Sequence, residues 1–248
     1  PYASTEAGRA IAPEGRRSRA GIIVFINMPS IAQSTDMCEG PSPDLPTRTQ
    51  ANTLRQGPSD SKDQSPSMPP NTPDYCRALL LADTHGRLHP QILALAKKVS
   101  TVIHAGDIGH PDILALLARD GRRVFAVRGN NDTSRSWPSS AHHQLAHLDR
   151  VIEVTLTGGR IAVEHGDRVN PANRRHALLR SGYPDARLIV YGHSHRQLID
   201  KSERPWVVNP GAAGRSRTFG GSGCVLLTVT NRRWRLQPLQ FPLATWTV

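Results

Sequence analysis

Between Asp83 and His195 the chain carries five clusters of metal-capable side chains: Asp83-Thr84-His85, Gly106-Asp107, Gly129-Asn130-Asn131-Asp132, His165-Gly166-Asp167 and Gly192-His193-Ser194-His195. Any one of them has an ordinary explanation. Gly permits φ > 0, and Asp or Asn bonds its own backbone, so such residues after an apolar run are common turn chemistry. The recurrence is what needs a cause, because each cluster follows directly on an apolar run (LLLA, VIHA, FAVR, IAVE, LIVY). In open α/β sheets the carboxyl ends of strands line one crevice, so the five clusters are expected to converge there. Asp83 and His85 are two residues apart, as are His193 and His195, so extended segments would point each pair to one side. Imidazole, carboxylate and amide carbonyl together suit Mn, Fe, Ni or Zn better than Ca. Seven candidate ligands, Asp83, His85, Asp107, Asn130, His165, His193 and His195, exceed the needs of one ion. They suffice for two that share a carboxylate, which at a spacing of about 3.5–4 Å clamps the attacking and leaving oxygens of phosphoryl transfer.

These side chains need strands to hold them, and the pattern supplies strands. Arg77–Ala82, Thr101–Ala105 and Arg123–Arg128 read as short buried strands. Helices over Pro90–Val99 and Pro111–Arg119 separate them, each opening on Pro, the first with lysines in its last turn. Strand, helix, strand, helix, strand argues for a parallel α/β sheet. Further on, Arg150–Leu156 and Ile161–Glu164 read as a hairpin turning at Gly158-Gly159, and Pro171–Ser181 as a helix closed by Gly182. Strands are expected at Leu188–Tyr191, Leu198–Lys201, Trp206–Val208, Val225–Thr230 and Trp234–Leu239. The stretch Thr133–His147 is read as a lid over the site or a long loop.

The chain has 248 residues, enough for one generous domain or a domain with a tail. Pro1–Pro73 holds 11 of the 20 prolines, with Ser, Thr, Gln and Gly between them, so residues 1–74 are expected to be a disordered tail and 75–248 the folded domain. Because the chain starts with Pro and Met68 precedes the first strand, residues before Met68 are also weighed as absent from the natural product. The longest apolar run, Gly21–Ile26, is far too short to span a membrane, and no A-x-A cleavage pattern follows it promptly. Three cysteines without a CxxC pair fit a reducing cytoplasm and exclude structural zinc on cysteine. The net charge of +11 is mostly arginine, since four of the 31 basic residues are lysine. The arginines are scattered, which gives a mild attraction for anions rather than a nucleic-acid motif.

D-x-H, G-D, G-N-x-D, H-G and G-H-x-H, in this order, resemble the signature of the calcineurin-like metallophosphoesterase superfamily, and Asn209-Pro210-Gly211 resembles a turn of its small prokaryotic phosphodiesterase subgroup. The resemblance covers the chain after Asp74. It implies a four-layer α-β-β-α sandwich with the site at the carboxyl ends of the strands. It also implies that Asp83, His85, Asp107 and His195 hold one divalent ion, while Asp107, Asn130, His165 and His193 hold the other. Mn²⁺ is the expected metal, with Ni²⁺, Fe²⁺ or Zn²⁺ as alternatives. A bridging water made hydroxide by the two cations would attack phosphorus in line with the departing alkoxide.

Many superfamily phosphatases have His where this chain has Asn131, and an amide gives up no proton at neutral pH, so that general acid is missing. The small phosphodiesterase subgroup also commonly lacks it. Asp107, Asn131 and Asp132 are the candidate catalytic residues, Asp132 orienting its loop or a ligand. His104 reads as a buried structural residue, and His110 either as a residue approaching a substrate oxygen or as a helix-start residue. His89, His142, His143, His147 and His176 read as solvent-facing or loop residues, and Arg215 and Arg217 as candidates for phosphate contact. The expected activity is hydrolysis of a small phosphodiester by a cytoplasmic enzyme, with a homo-oligomer compatible with that reading. The competing readings are a binding module that kept the fold and retired the chemistry, and a nuclease. Retention of all seven ligands argues against the first, and the absence of an added DNA-binding domain against the second.

Overall fold

The computed structural model describes residues 75–243. The expected tail over 1–74 and the start at Met68 fall outside them. The described chain runs β1 (Cys76–Leu81), α1 (Pro90–Ala96), β2 (Thr101–His104), α2 (Pro111–Ala118), β3 (Arg123–Ala126), α3 (His142–Ala146), β4 (Val151–Leu156), β5 (Gly159–Glu164), α4 (Arg175–Gly182), β6 (Leu188–Val190), β7 (Leu198–Asp200), β8 (Trp206–Asn209), β9 (Ser222–Val229) and β10 (Trp234–Phe241). Two five-stranded sheets form, in the orders β10-β9-β1-β2-β3 and β4-β5-β6-β8-β7. Each is mixed rather than wholly parallel. β1, β2 and β3 are parallel, with Leu79, Val102 and Val124 in register, and β9 and β10 complete that sheet antiparallel. In the second sheet β5, β6 and β8 are parallel, and β4 and β7 are antiparallel edges.

Alternation along the strands builds the layers. Ala78, Leu80, Ile103 and Phe125 of the first sheet meet Ile152, Val154, Ile161, Val163, Leu188 and Val190 of the second in a core between the sheets. The opposite face of the first sheet, Leu79, Leu81, Val102 and Val124, takes Ile92 and Ala96 of α1 and Ile113, Leu114 and Leu117 of α2. On the far side of the second sheet, Ala162, Ile189 and Val207 pack with Leu179 of α4. The result is the four-layer α-β-β-α sandwich.

Both first-sheet helices start on His-Pro. Pro at the first helical position needs no N–H, and the preceding imidazole Nδ1 accepts from a free backbone N–H, Gln91 N to His89 at 3.2 Å and Asp112 N to His110 at 3.3 Å. His89, expected to be a solvent-facing or loop residue, lies in the loop before α1 but is a buried cap stacked on Phe241. α1 stops at Ala96, so Lys97 caps it and Lys98 lies beyond. The stretch read as a lid is neither lid nor open loop. Trp137, Ala141, Leu145 and Leu148 are buried in the outer core beside α2, and α3 forms within it.

Candidate metal centre

The five clusters stand at the carboxyl ends of β1, β2 and β3 in one sheet and β5 and β6 in the other, so the site belongs to the rim of both sheets. The expectation that Asp83–His85 and His193–His195 are extended does not hold. Asp83, His85, Asp107, His193 and His195 have φ of 54°, 46°, 54°, 67° and 58°. Left-handed backbone at a non-glycine residue costs about 1–3 kcal/mol and persists where the surroundings over-determine it. It turns the ends of β1, β2 and β6 sharply enough to aim these side chains inward. Close backbone approach completes the convergence, because a Cβ at Gly129 would overlap Asp107 Oδ1.

The seven candidate ligands fall into two groups about Asp107. His85 Nε2 lies 3.2 Å from His195 Nε2, and His195 Nε2 lies 3.5 Å from Asp83 Oδ1. On the other side, Asn130 Oδ1 is 3.1 Å from both His165 Nε2 and His193 Nδ1. Asp107 Oδ2 faces one member of each group, His165 Nε2 at 3.3 Å and His85 Nε2 at 3.8 Å. Asp83, Asp107, His165 and His195 form a buried floor, and Asn130 and Asn131 lie exposed at its mouth.

The donor set fits divalent cations. Asp83 Oδ2 is buried and has no hydrogen-bond partner among the described residues, an oxygen left for something else to neutralise. His165 and His195 donate their Nδ1–H groups to the carbonyls of Ala105 and Ser216 at 2.8 and 2.9 Å, so Nε2 is the ring nitrogen each turns into the cluster, and a cation there would take the place of the Nε2 proton on His165. Burial lifts the Asp83 carboxyl to about 7 against the nearby His165 charge. Burial also acts to raise Asp107, but the bond and charge of His165 with the Asn131 donors hold it well below the usual carboxylate range. Burial alone would lower His165, yet Asp107 raises it to about 9. Burial takes His195 down to about 4 and also lowers His85 and His193.

Asn131 sits on Asp107 rather than over open space. Its backbone N–H donates to Asp107 Oδ1 at 2.8 Å and its Nδ2 to Oδ2 at 2.6 Å. Asp132 is buried and accepts from the backbone of Ile108, Gly109 and Gly129 and from Trp137 Nε1, so it ties the loops after β2 and β3 together. His104 is buried and donates from Nε2 to Thr84 Oγ1, which in turn donates to Ile108 O.

Other groups carried no sequence signal. His176, expected to be a solvent-facing or loop residue, lies half-buried on α4 and bonds Asp200 Oδ2 at 2.8 Å and the Tyr191 hydroxyl at 3.1 Å. With Tyr191, Ser194 and Arg196 it lines a cavity of about 330 Å³. The carbonyls of Ala105 and Ser216 that orient His165 and His195 are also invisible in sequence, because any residue type supplies one.

A sequence model of the calcineurin-like phosphoesterase superfamily domain matches residues 77–232. Phosphodiesterase MJ0936 of Methanocaldococcus jannaschii is 26% identical over 141 residues, covering 53% of this chain and 81% of that protein. Among solved structures, Vacuolar Protein Sorting 29 from Cryptosporidium parvum aligns with a TM-score of 0.52 at 16% identity, over 68% of this chain and 98% of that one. A conserved uncharacterized protein from Streptococcus pneumoniae, described as a predicted phosphoesterase, aligns at 0.50 and 19%, over 67% and 90%. At such identities the two structures speak for the fold alone. The matched span contains all five strand-end clusters, and the chain belongs to the calcineurin-like phosphoesterase superfamily as a hydrolase of phosphoric esters.

Proposed function

We propose that the chain is a phosphodiesterase working with two divalent cations on small or activated diesters. The observation that carries this reading is Asp107 standing between two groups of nitrogen and oxygen donors, with the orphaned Asp83 Oδ2 beside it. In this reading Asp83, His85, Asp107 and His195 hold one cation, and Asp107, Asn130, His165 and His193 the other. Such cations supply an acidified water as nucleophile near neutral pH and charge that offsets the developing phosphoryl charge. Mn²⁺ fits the imidazole-rich, carboxylate-containing set, and Ni²⁺, Fe²⁺ and Zn²⁺ are the alternatives.

The protein's own part is to hold geometry. Asn131 fixes the Asp107 carboxylate from two directions, and Asp132 fixes the loop that presents Asn130 and Asn131. With an amide at Asn131 the leaving alkoxide receives no proton from that position, so diesters with acidic alcohols are the favoured substrates. Phosphodiesterase MJ0936, by its name, has the activity proposed for this chain. Retention of all seven donors supports hydrolysis over a binding module. A cytoplasmic location is part of the same proposal, consistent with Cys76 and Cys224 being free thiols.

The test is hydrolysis of bis(p-nitrophenyl) phosphate and p-nitrophenyl phosphate by chelator-stripped protein given Mn²⁺, Ni²⁺, Zn²⁺ or Mg²⁺. Metal-dependent cleavage of the diester, faster than of the monoester and abolished in a folded Asp107→Ala variant, is the expected result. Undiminished cleavage by that variant would overturn the assignment.

A further inference from the structure

The segment joining β8 to β9, residues 210–221, brings a guanidinium to the ligand cluster. Gly214 seats the segment against the end of β1. Its N–H donates to Asp83 O at 3.3 Å, a Cβ there would overlap Thr84 O, and Ser222 Oγ donates to its carbonyl at 2.8 Å. Farther out, Arg196 stacks over the Phe219 ring at 4.4 Å. Between these two anchors Ser216 O accepts His195 Nδ1–H at 2.9 Å, and Arg217 NH2 stands 3.2 Å from His195 Nε2. Arg217 is exposed and has φ of 50°, the same left-handed conformation as Asp83, His85, Asp107, His193 and His195.

A guanidinium is always charged and offers only donors, so it never ligates a cation. Arg217 donates to the lone pair that a cation at His195 would take, and must therefore swing aside when one binds. The anchored backbone keeps its charge at the mouth of the site, where the partner left for it is an anion. Asn131 spends its backbone N–H and one Nδ2–H on Asp107, so it has at most one neutral donor left for the phosphoryl oxygens and no charge to offset theirs.

We propose that Arg217 is the phosphate-binding residue of this site, donating to the non-bridging phosphoryl oxygens of substrate and product. The inference rests on the phosphodiesterase reading. Because arginine cannot surrender a proton, Arg217 stabilises charge and does not stand in for the missing general acid.

The experiment is calorimetry on wild type, Arg217→Lys and Arg217→Gln. Mn²⁺ is titrated into metal-free protein and inorganic phosphate into the Mn²⁺-loaded form, with bis(p-nitrophenyl) phosphate kinetics alongside. Arg217→Gln is expected to bind phosphate about tenfold more weakly, the scale of one charged hydrogen bond, and to lose roughly 10²-fold in kcat/KM. Its Mn²⁺ affinity should hold or rise, since a competitor for His195 Nε2 is gone, and Arg217→Lys should recover part of the phosphate affinity. Phosphate affinity within twofold of wild type in Arg217→Gln overturns the inference. So does a Mn²⁺ affinity that falls in step with phosphate, which would mark a merely structural loop residue. A wild type that binds Mn²⁺ and needs Arg217 for phosphate, but cleaves no diester, would sink the phosphodiesterase reading and leave this inference standing.

Discussion

His104 ends β2 fully buried, with Nε2–H spent on Thr84 and Nδ1 facing no partner among the described residues. A second proton would have to sit on that Nδ1, and burial lowers the group from 6.5 to about 4. In the unfolded chain the same imidazole takes its proton near pH 6.5, so between there and about pH 4 the unfolded state binds the extra proton. Stability is thus whole above about pH 6.5 and falls as pH drops toward 4, by roughly 3 kcal/mol from this residue. His104→Gln keeps a donor for Thr84 without the titration. Urea unfolding at pH 7, 5.5 and 4.5 should show a shallower pH dependence in the variant, and parallel curves would contradict this account. Position pointed to a structural histidine here, because His104 falls within an apolar strand run. His89 and His176 lie in no such run, and their burial went unseen. An imidazole carries no sequence mark of burial, and their partners Phe241, Asp200 and Tyr191 are distant in the chain.

At the scale of elements, the loops after β2 and β3 are held as one unit by the Asp132 carboxylate. Asp132→Ala would strand the N–H groups of Ile108, Gly109 and Gly129 together with the Trp137 indole. A loss of about 3 kcal/mol or more in unfolding free energy is expected, with weaker Mn²⁺ binding. A variant within about 0.5 kcal/mol of wild type, the range of ordinary surface substitutions, would contradict the role given to Asp132. The strands that position the site were legible because short apolar runs ending in Gly, Asp or His leave few alternatives. α3 was not. Trp137, Ala141, Leu145 and Leu148 do repeat at helical spacing, but Pro138 and the histidines around them made the stretch read as a loop. Likewise the type of Asp83 and His85 was informative and their geometry was not, since these left-handed strand ends pack closely on glycines of other strand-end loops, Gly192 on Asp83, Gly109 on His85 and Gly129 on Asp107. Strand order across two sheets was equally beyond a one-dimensional pattern, which resembles a single parallel sheet as far as β3.

For the whole molecule, the candidate ligands come from both sheets: Asp83, His85, Asp107 and Asn130 from one, His165, His193 and His195 from the other. Cations held there would tie the two halves of the sandwich together and favour the folded state. At about 100 times the dissociation constant the gain is about 3 kcal/mol, several degrees in Tm for a domain of this size. Thermal unfolding with chelator and with Mn²⁺ should show that shift in wild type and not in Asp107→Ala; an equal shift in both would mean that the cation stabilises the fold from elsewhere. Two cations are proposed to share Asp107, and anomalous diffraction from crystals grown with Mn²⁺ would locate them. The account predicts two anomalous peaks, one among Asp83, His85 and His195 and one among Asn130, His165 and His193, with the Asp107 carboxylate touching both. A single peak, or two peaks neither of which touches Asp107, would contradict it.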